Sequence, residues 1–212
     1  MTELIGSYDV LNRRTGDFES AELYRTIGPQ HARDFEVHWR PAFQQRRARM
    51  ASGETDERAQ LQDSHWEWPK KADIMRDRLD FESFAVVVGG ITQGLLALRM
   101  TGHLSRLVHS AQEAIPYVEL IASAPWNRSG FTPNPQYKGV GELLIAAVIS
   151  LSFEQEFAGR FGLTAIPQSV EWYRNFCRLT ELGPDPEHPT MIYFEATEQQ
   201  AKDFIERGRS AP

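Results

Sequence analysis

The sequence predicts a mixed α/β fold built on one sheet, and three observations carry that prediction. Ser83 to Val88 is rich in Val and Phe, is followed by Gly89-Gly90, and leads into a second apolar run, Thr92 to Met100. That is the pattern of a hairpin closed by a two-residue turn. Gly141 to Phe157 is apolar nearly all round in its first half, as a helix buried against a sheet is. From Phe81 onward short apolar strands alternate with helices, in the order hairpin, strand, helix, strand, helix, strand, strand.

The remaining elements of the second half follow in turn. Tyr117 to Ala124 reads as the third strand and Phe161 to Ile166 as the next, with a short helix over Ser169 to Cys177. Leu179 to Leu182 and Met191 to Ala196 read as closing strands, and Glu198 to Arg207 as an exposed C-terminal helix. Residues 1–78 have another texture, polar and charged, and read as a largely helical segment on the substrate side of a core formed by residues 79–212, the two expected to make one continuous domain. Ser20 to Met50 is expected to be helical, interrupted near Gly28-Pro29 and near Pro41. Residues 51–63 read as a loop or frayed helix, and Trp66-Glu67-Trp68-Pro69 as an extended segment with both tryptophans on one face.

The chain has 212 residues, enough for one domain or a domain with an appended lobe. Hydrophobic residues make up 41% and charged residues 25%, ordinary values for a soluble protein. Cys177 is the one cysteine, so no intrachain disulfide forms, which suits a reducing compartment. The N-terminus lacks a basic-then-apolar signal pattern, and the longest apolar run, Leu143 to Ser152, is too short to span a bilayer. A cytoplasmic protein with no membrane partner is expected. The net charge of -6 weighs against a nucleic-acid partner. The six histidines show no ligand spacing, so no metal is expected.

The chemistry points to Gln136-Tyr137-Lys138-Gly139-Val140-Gly141, where a strand passes into the apolar helix. Glycines there let the backbone turn and approach a ligand closely. First-turn N–H groups and the helix dipole favour a phosphate at that point. Two familiar phosphate loops do not fit. A Rossmann fingerprint needs Gly or Ala where Leu144 stands, and a P-loop needs Lys where Glu142 stands.

The pattern Gln/Arg-x-x-Gly-x-Gly/Ala does fit. It comes with the hairpin, the strand ending Leu120-Ile121-Ala122-Ser123-Ala124-Pro125, the helix, and the strand–helix run from Gly162 to Tyr173. This ordered set resembles the GNAT superfamily of acyl-CoA-dependent N-acyltransferases over roughly residues 84–196. The resemblance implies a mostly antiparallel central sheet with a splayed parallel strand pair, flanked by helices. It implies an acyl-CoA-binding core over residues 79–212, acetyl-CoA or another short acyl-CoA as co-substrate, and a small-molecule or peptide primary amine as acceptor. By its analogy, backbone groups of Ile121, Ala122 and Ser123 receive the pantetheine arm. Gln136 opens the pyrophosphate loop, and the amides of Tyr137, Lys138, Gly139, Val140, Gly141 and Glu142 hold the pyrophosphate. Glu119 matches a proton acceptor for the amine, Tyr173 matches the proton donor to the leaving thiolate, and the Ala122 amide is a candidate oxyanion donor. Relatives are often dimers, so a homodimer is an expectation by analogy.

Two departures stand out. Ten residues, Trp126 to Pro135, separate the strand proline from Gln136 where relatives commonly have two, so this stretch reads as an inserted loop beside the active site. Ile166 stands where relatives often carry Asn. Arg40, Arg46, Arg47 and Arg49 are read as a solvated helix face, with a clamp for the adenosine 3′-phosphate or an acidic partner as the alternative. Two other functions stay open: a non-catalytic acyl-CoA-binding or protein-interaction module, and an acetyltransferase toxin or effector acting on a macromolecule.

Overall fold

The chain opens with two strands where helix is expected. The computed structural model of the protein describes residues 2–53 and 61–209, so most of the expected loop at 51–63 lies outside the described residues. Strands β1 (Glu3–Asn12) and β2 (Phe18–Arg25) pair antiparallel from Glu3↔Arg25 to Leu11↔Phe18, with an irregularity between Leu4 and Gly6. Val10, Asn12, Ala21 and Leu23 point inward at a period of two. Leu4, Tyr8 and Phe18 of the same strands are exposed and hide that period in the sequence. β2 continues into β3 (Phe81–Val88) through the pairs Ala21↔Val88 to Arg25↔Phe84.

The expected helices of this part come next. α1 (Pro29–Asp34), a π-helical turn over Phe35–Trp39 and α2 (Arg40–Ala51) form one run. The interruption expected at Pro41 becomes this π turn. Proline has no N–H to give and its ring crowds the carbonyl four residues back. The wider turn, closed by the Arg40 N–H donating to Phe35 O, makes room for it. Trp66 to Pro69 is also not extended: Trp68 and Pro69 open α3 (Trp68–Arg76), where a first-turn proline costs no hydrogen bond. The Trp66 and Trp68 rings meet edge-on at 6.2 Å, and Trp68 is buried.

The second half follows the expected order. β4 (Ile91–Arg99) returns from β3 through Gly89 and Gly90, whose φ of 58° and 77° suit the two-residue hairpin turn. Then come β5 (Tyr117–Ser123), the short β6 (Tyr137–Lys138), α4 (Val140–Glu154), β7 (Phe161–Ala165), β8 (Thr180–Pro184), β9 (Ile192–Ala196) and α5 (Glu198–Arg209).

Two compact units result, Met1–Leu96 with Ile121–Leu144, and Ala97–Leu120 with Ile145–Pro212. The chain crosses from one to the other inside β4, β5 and α4. In the first unit the strand order runs β6-β1-β2-β3-β4; in the second it runs β5-β7-β9-β8. β5 and β7 are parallel, and β7–β9 and β8–β9 are antiparallel. The parallel register covers Tyr117↔Gly162 and Val118↔Leu163, although β5 runs on to Ser123 and β7 to Ala165. The fold is thus mixed α/β, mostly antiparallel, with one splayed parallel pair and flanking helices. No described helix is long and apolar enough to cross a membrane.

Candidate functional site

In the first unit the N-terminal hairpin builds the wall of the glycine loop. β6 pairs with β1 through Leu11↔Lys138 and Asn12↔Tyr137, and the Arg13 N–H donates to Gln136 O at 2.8 Å. The buried Tyr137 hydroxyl donates to Glu19 Oε2 at 2.9 Å, while Glu19 Oε1 accepts from Asn12 Nδ2 at 2.6 Å. Burial, and then Glu19, push the Tyr137 phenol above its ordinary value, so it stays a donor.

Gly139 closes this loop and caps α4. Its φ of 110° lies where other residues are strained, and its carbonyl accepts from Leu143 N at 2.9 Å. The first-turn amides of Val140 and Gly141 have no acceptor within the helix and sit at its positive end. Gly94 on β4 brings this end in close. A Cβ there would lie 2.7 Å from Val140 Cγ1 and 3.0 Å from Leu144 Cδ1.

The inserted loop is tied off at its base. Gln136 N donates to Trp126 O at 2.9 Å, and Tyr137 N donates to Asn127 Oδ1 at 3.1 Å. The loop from Trp126 to Pro135 therefore returns so that Trp126 and Gln136 lie side by side. The buried Gln93 of β4 holds the knot. Its Oε1 accepts from Trp126 Nε1 at 2.8 Å and Asn127 Nδ2 at 3.0 Å, and its main-chain oxygen accepts from Ala124 N at 2.8 Å. From inside the loop, Arg128 donates through Nε at 2.7 Å, and through Nη2, to Ser123 O. Its Nη1 pairs with the buried Asp63 at 2.7 Å, and its guanidinium lies 5.5 Å from the Phe43 ring centroid.

Just before β5, Pro116 O accepts from Gly162 N at 2.9 Å, and just past its end Ala124 N donates to the Gln93 main-chain oxygen.

These contacts sort the expected cofactor residues. Ile121, Ala122, Ser123 and the run from Gln136 to Glu142 all lie in the first unit. The Tyr137 amide is spent on Asn127 and Lys138 belongs to the β1–β6 ladder, so the anion-facing set narrows to the first turn of α4, residues Val140, Gly141 and Glu142. The Ser123 carbonyl, expected to receive a ligand amide, is engaged by Arg128. Gln93, Asn127 and Arg128 were not singled out in the sequence. A glutamine inside an otherwise apolar strand was the one signal for them.

Glu119 and Tyr173 both lie in the second unit. Glu119, half-buried, is ion-paired with Arg99. Tyr173 sits in the π-helical turn Trp172–Cys177, 4% exposed, with its ring centroid 5.0 Å from that of Trp172 and 6.0 Å from that of Phe194. Burial, and then Cys177, push its phenol far above the tyrosine range, so it keeps its proton. Tyr117, two positions before Glu119, is stacked by His103 at 3.9 Å. Burial, then Arg99 and Arg106, lower the His103 pKa, and its Nε2 has no partner among the described residues. A neutral imidazole there is a proton acceptor. Among the described residues no group of three or more His, Cys, Asp or Glu side chains could hold a metal ion.

No family model matches the sequence, and no curated protein matches it. Solved structures do. The GNAT domain of S. lividans PAT aligns with a TM-score of 0.52 at 13% identity, covering 90% of this chain and 96% of that one. The PaiA N-acetyltransferase of Thermoplasma acidophilum, in complex with coenzyme A, aligns at 0.50 and 10% identity, covering 84% and 98%. Mycobacterium smegmatis RimJ, in complex with CoA-disulfide, aligns at 0.50 and 14% identity, covering 99% and 95%. The chain has the fold of GNAT acetyltransferase structures.

Proposed function

We propose that the protein is an acyl-CoA-dependent N-acyltransferase that passes an acetyl or short acyl group to a primary amine by direct attack in a ternary complex. The observation that carries this is the glycine-capped start of α4, set against β4 at Gly94 and walled by the β1–β2 hairpin. In this reading the Val140, Gly141 and Glu142 amides hold the pyrophosphate. Ile121 and Ala122 offer backbone groups to the pantetheine arm, and Ser123 joins them when Arg128 releases its carbonyl. Ala122 N–H is kept as the oxyanion donor.

Proton traffic, by the family resemblance, falls to Glu119 and Tyr173. An amine must lose a proton to attack a thioester, and Glu119 accepts it after parting from Arg99, with His103 as the rival acceptor. Tyr173 gives its proton to the departing thiolate. Two GNAT-fold structures whose names include coenzyme A support the choice of co-substrate. The same proposal includes a cytoplasmic location, a homodimer and a small-molecule or peptide amine as acceptor.

A non-catalytic acyl-CoA-binding module is the second reading, favoured by two engaged groups: Ser123 O on Arg128 and Glu119 on Arg99. A free-thiol assay with acetyl-CoA over a panel of amines separates the two. Amine-dependent thiol release is expected. Calorimetric binding of acetyl-CoA with no release across the panel would favour the module.

A further inference from the structure

We infer that Gln93 of β4 is a positioning residue for the glycine turn: its one carboxamide oxygen fixes, through Trp126 and Asn127, the two amides that lead into that turn. The inference rests on the acyl-CoA reading of the start of α4. Gln93 is 3% exposed, inside a strand whose other buried side chains are Thr92 and apolar residues. Its Oε1 accepts from Trp126 Nε1 at 2.8 Å and from Asn127 Nδ2 at 3.0 Å. Each partner in turn accepts an amide just ahead of the turn. Trp126 O takes Gln136 N at 2.9 Å, and Asn127 Oδ1 takes Tyr137 N at 3.1 Å. A single oxygen thus bridges two adjacent residues to two adjacent amides. Both groups on Oε1 are N–H donors, so the position calls for an acceptor with two lone pairs, and an apolar side chain cannot serve it.

The turn residue Gly139 follows Tyr137 by two positions, so what holds Tyr137 aims the first amides of α4. On its other flank the segment has only the short ladder to β1, through Leu11↔Lys138 and Asn12↔Tyr137, and the Arg13 N–H on Gln136 O. Gly94, the next residue of β4, lets Val140 and Leu144 come close because it has no Cβ. Consecutive residues of one strand therefore set the entry to the turn by hydrogen bonds and its exit by contact. Amides held in place before an anion arrives bind it at little cost in lost freedom. A buried glutamine that only satisfies its neighbours predicts a loss of stability and nothing more. A positioning residue predicts, in addition, a loss confined to the part of the ligand that the turn would hold. Thr92, one residue earlier, provides the comparison. It is buried and its hydroxyl donates to Asp34 Oδ2 of α1 at 2.7 Å, with no bond to the loop.

Calorimetric titration of the full chain with acetyl-CoA and with S-acetylpantetheine, which lacks the pyrophosphate, tests it in the parent, Gln93→Met, Asn127→Leu, the double variant and Thr92→Val, each kept well below its melting temperature. Gln93→Met and Asn127→Leu should each weaken acetyl-CoA by about tenfold or more and leave S-acetylpantetheine as in the parent. The double variant should lose less than the product of the two losses, because both act through one relay. Thr92→Val should melt lower than the parent yet bind acetyl-CoA equally well. Four results overturn the inference and leave the acyl-CoA reading standing: an unchanged acetyl-CoA affinity in Gln93→Met, an equal loss for S-acetylpantetheine, losses that multiply in the double variant, or an equal loss in Thr92→Val. A parent that does not bind acetyl-CoA removes the reading and the inference together.

Discussion

His31 accepts a hydrogen bond from Gly28 N at its Nδ1, at 3.0 Å, which only a neutral imidazole can do. Burial lowers its pKa, with Asp34 opposing, and His103 is lowered in the same direction. The unfolded chain therefore takes up protons that the folded chain refuses. This stability is present above the ordinary histidine pKa of 6.5 and is lost as pH falls through the lower folded values. Thermal melts between about pH 7.5 and 5 should show a falling melting temperature, with a smaller fall in His31→Gln. Equal falls would remove His31 from the effect. Tyr173 offers a kinetic counterpart. Tyr173→Phe should lower kcat by about a hundredfold while leaving KM for acetyl-CoA nearly unchanged. Turnover equal to the parent's would take Tyr173 out of the mechanism.

Among the elements, β5, α4 and the β1–β2 hairpin carry the proposed chemistry, and they differ in how well the sequence announces them. Gly89-Gly90 and unbroken apolar runs make β3, β4 and α4 readable, because their burial is nearly complete. The β1–β2 hairpin is not readable, since Val10, Ala21 and Leu23 are its fully buried apolar side chains while Phe18 and Tyr8 of the same strands stand exposed. Within the candidate site the Gly139–Gly141 turn was legible from spacing. The Arg128–Ser123 contact was not, because a side chain folding back on a carbonyl five residues earlier leaves no pattern. Two predictions belong here. Gly94→Val would push the start of α4 off β4, so acetyl-CoA affinity and melting temperature should both drop. Arg128→Gln should free the Ser123 carbonyl, raising acetyl-CoA affinity a few-fold even as the melting temperature falls; unchanged affinity would mean that carbonyl takes no part in binding.

Over the whole molecule, the fold is shared with GNAT acetyltransferase structures at 10–14% identity, a level at which topology persists and acceptor choice does not. On that topology the loop from Trp126 to Pro135 is knotted at its base by Gln93 and Asn127. The start of α4 is the feature on which the proposed acyl-CoA binding, and so the rest of the proposed chemistry, depends. Calorimetric titration of acetyl-CoA into the parent, Gly141→Leu and Gln136→Ala probes it directly. Backbone recognition predicts a bound parent, a Gly141→Leu variant weakened by about tenfold or more, and a Gln136→Ala variant close to the parent. A parent that does not bind, or a Gly141→Leu variant that binds as well as the parent, would contradict it.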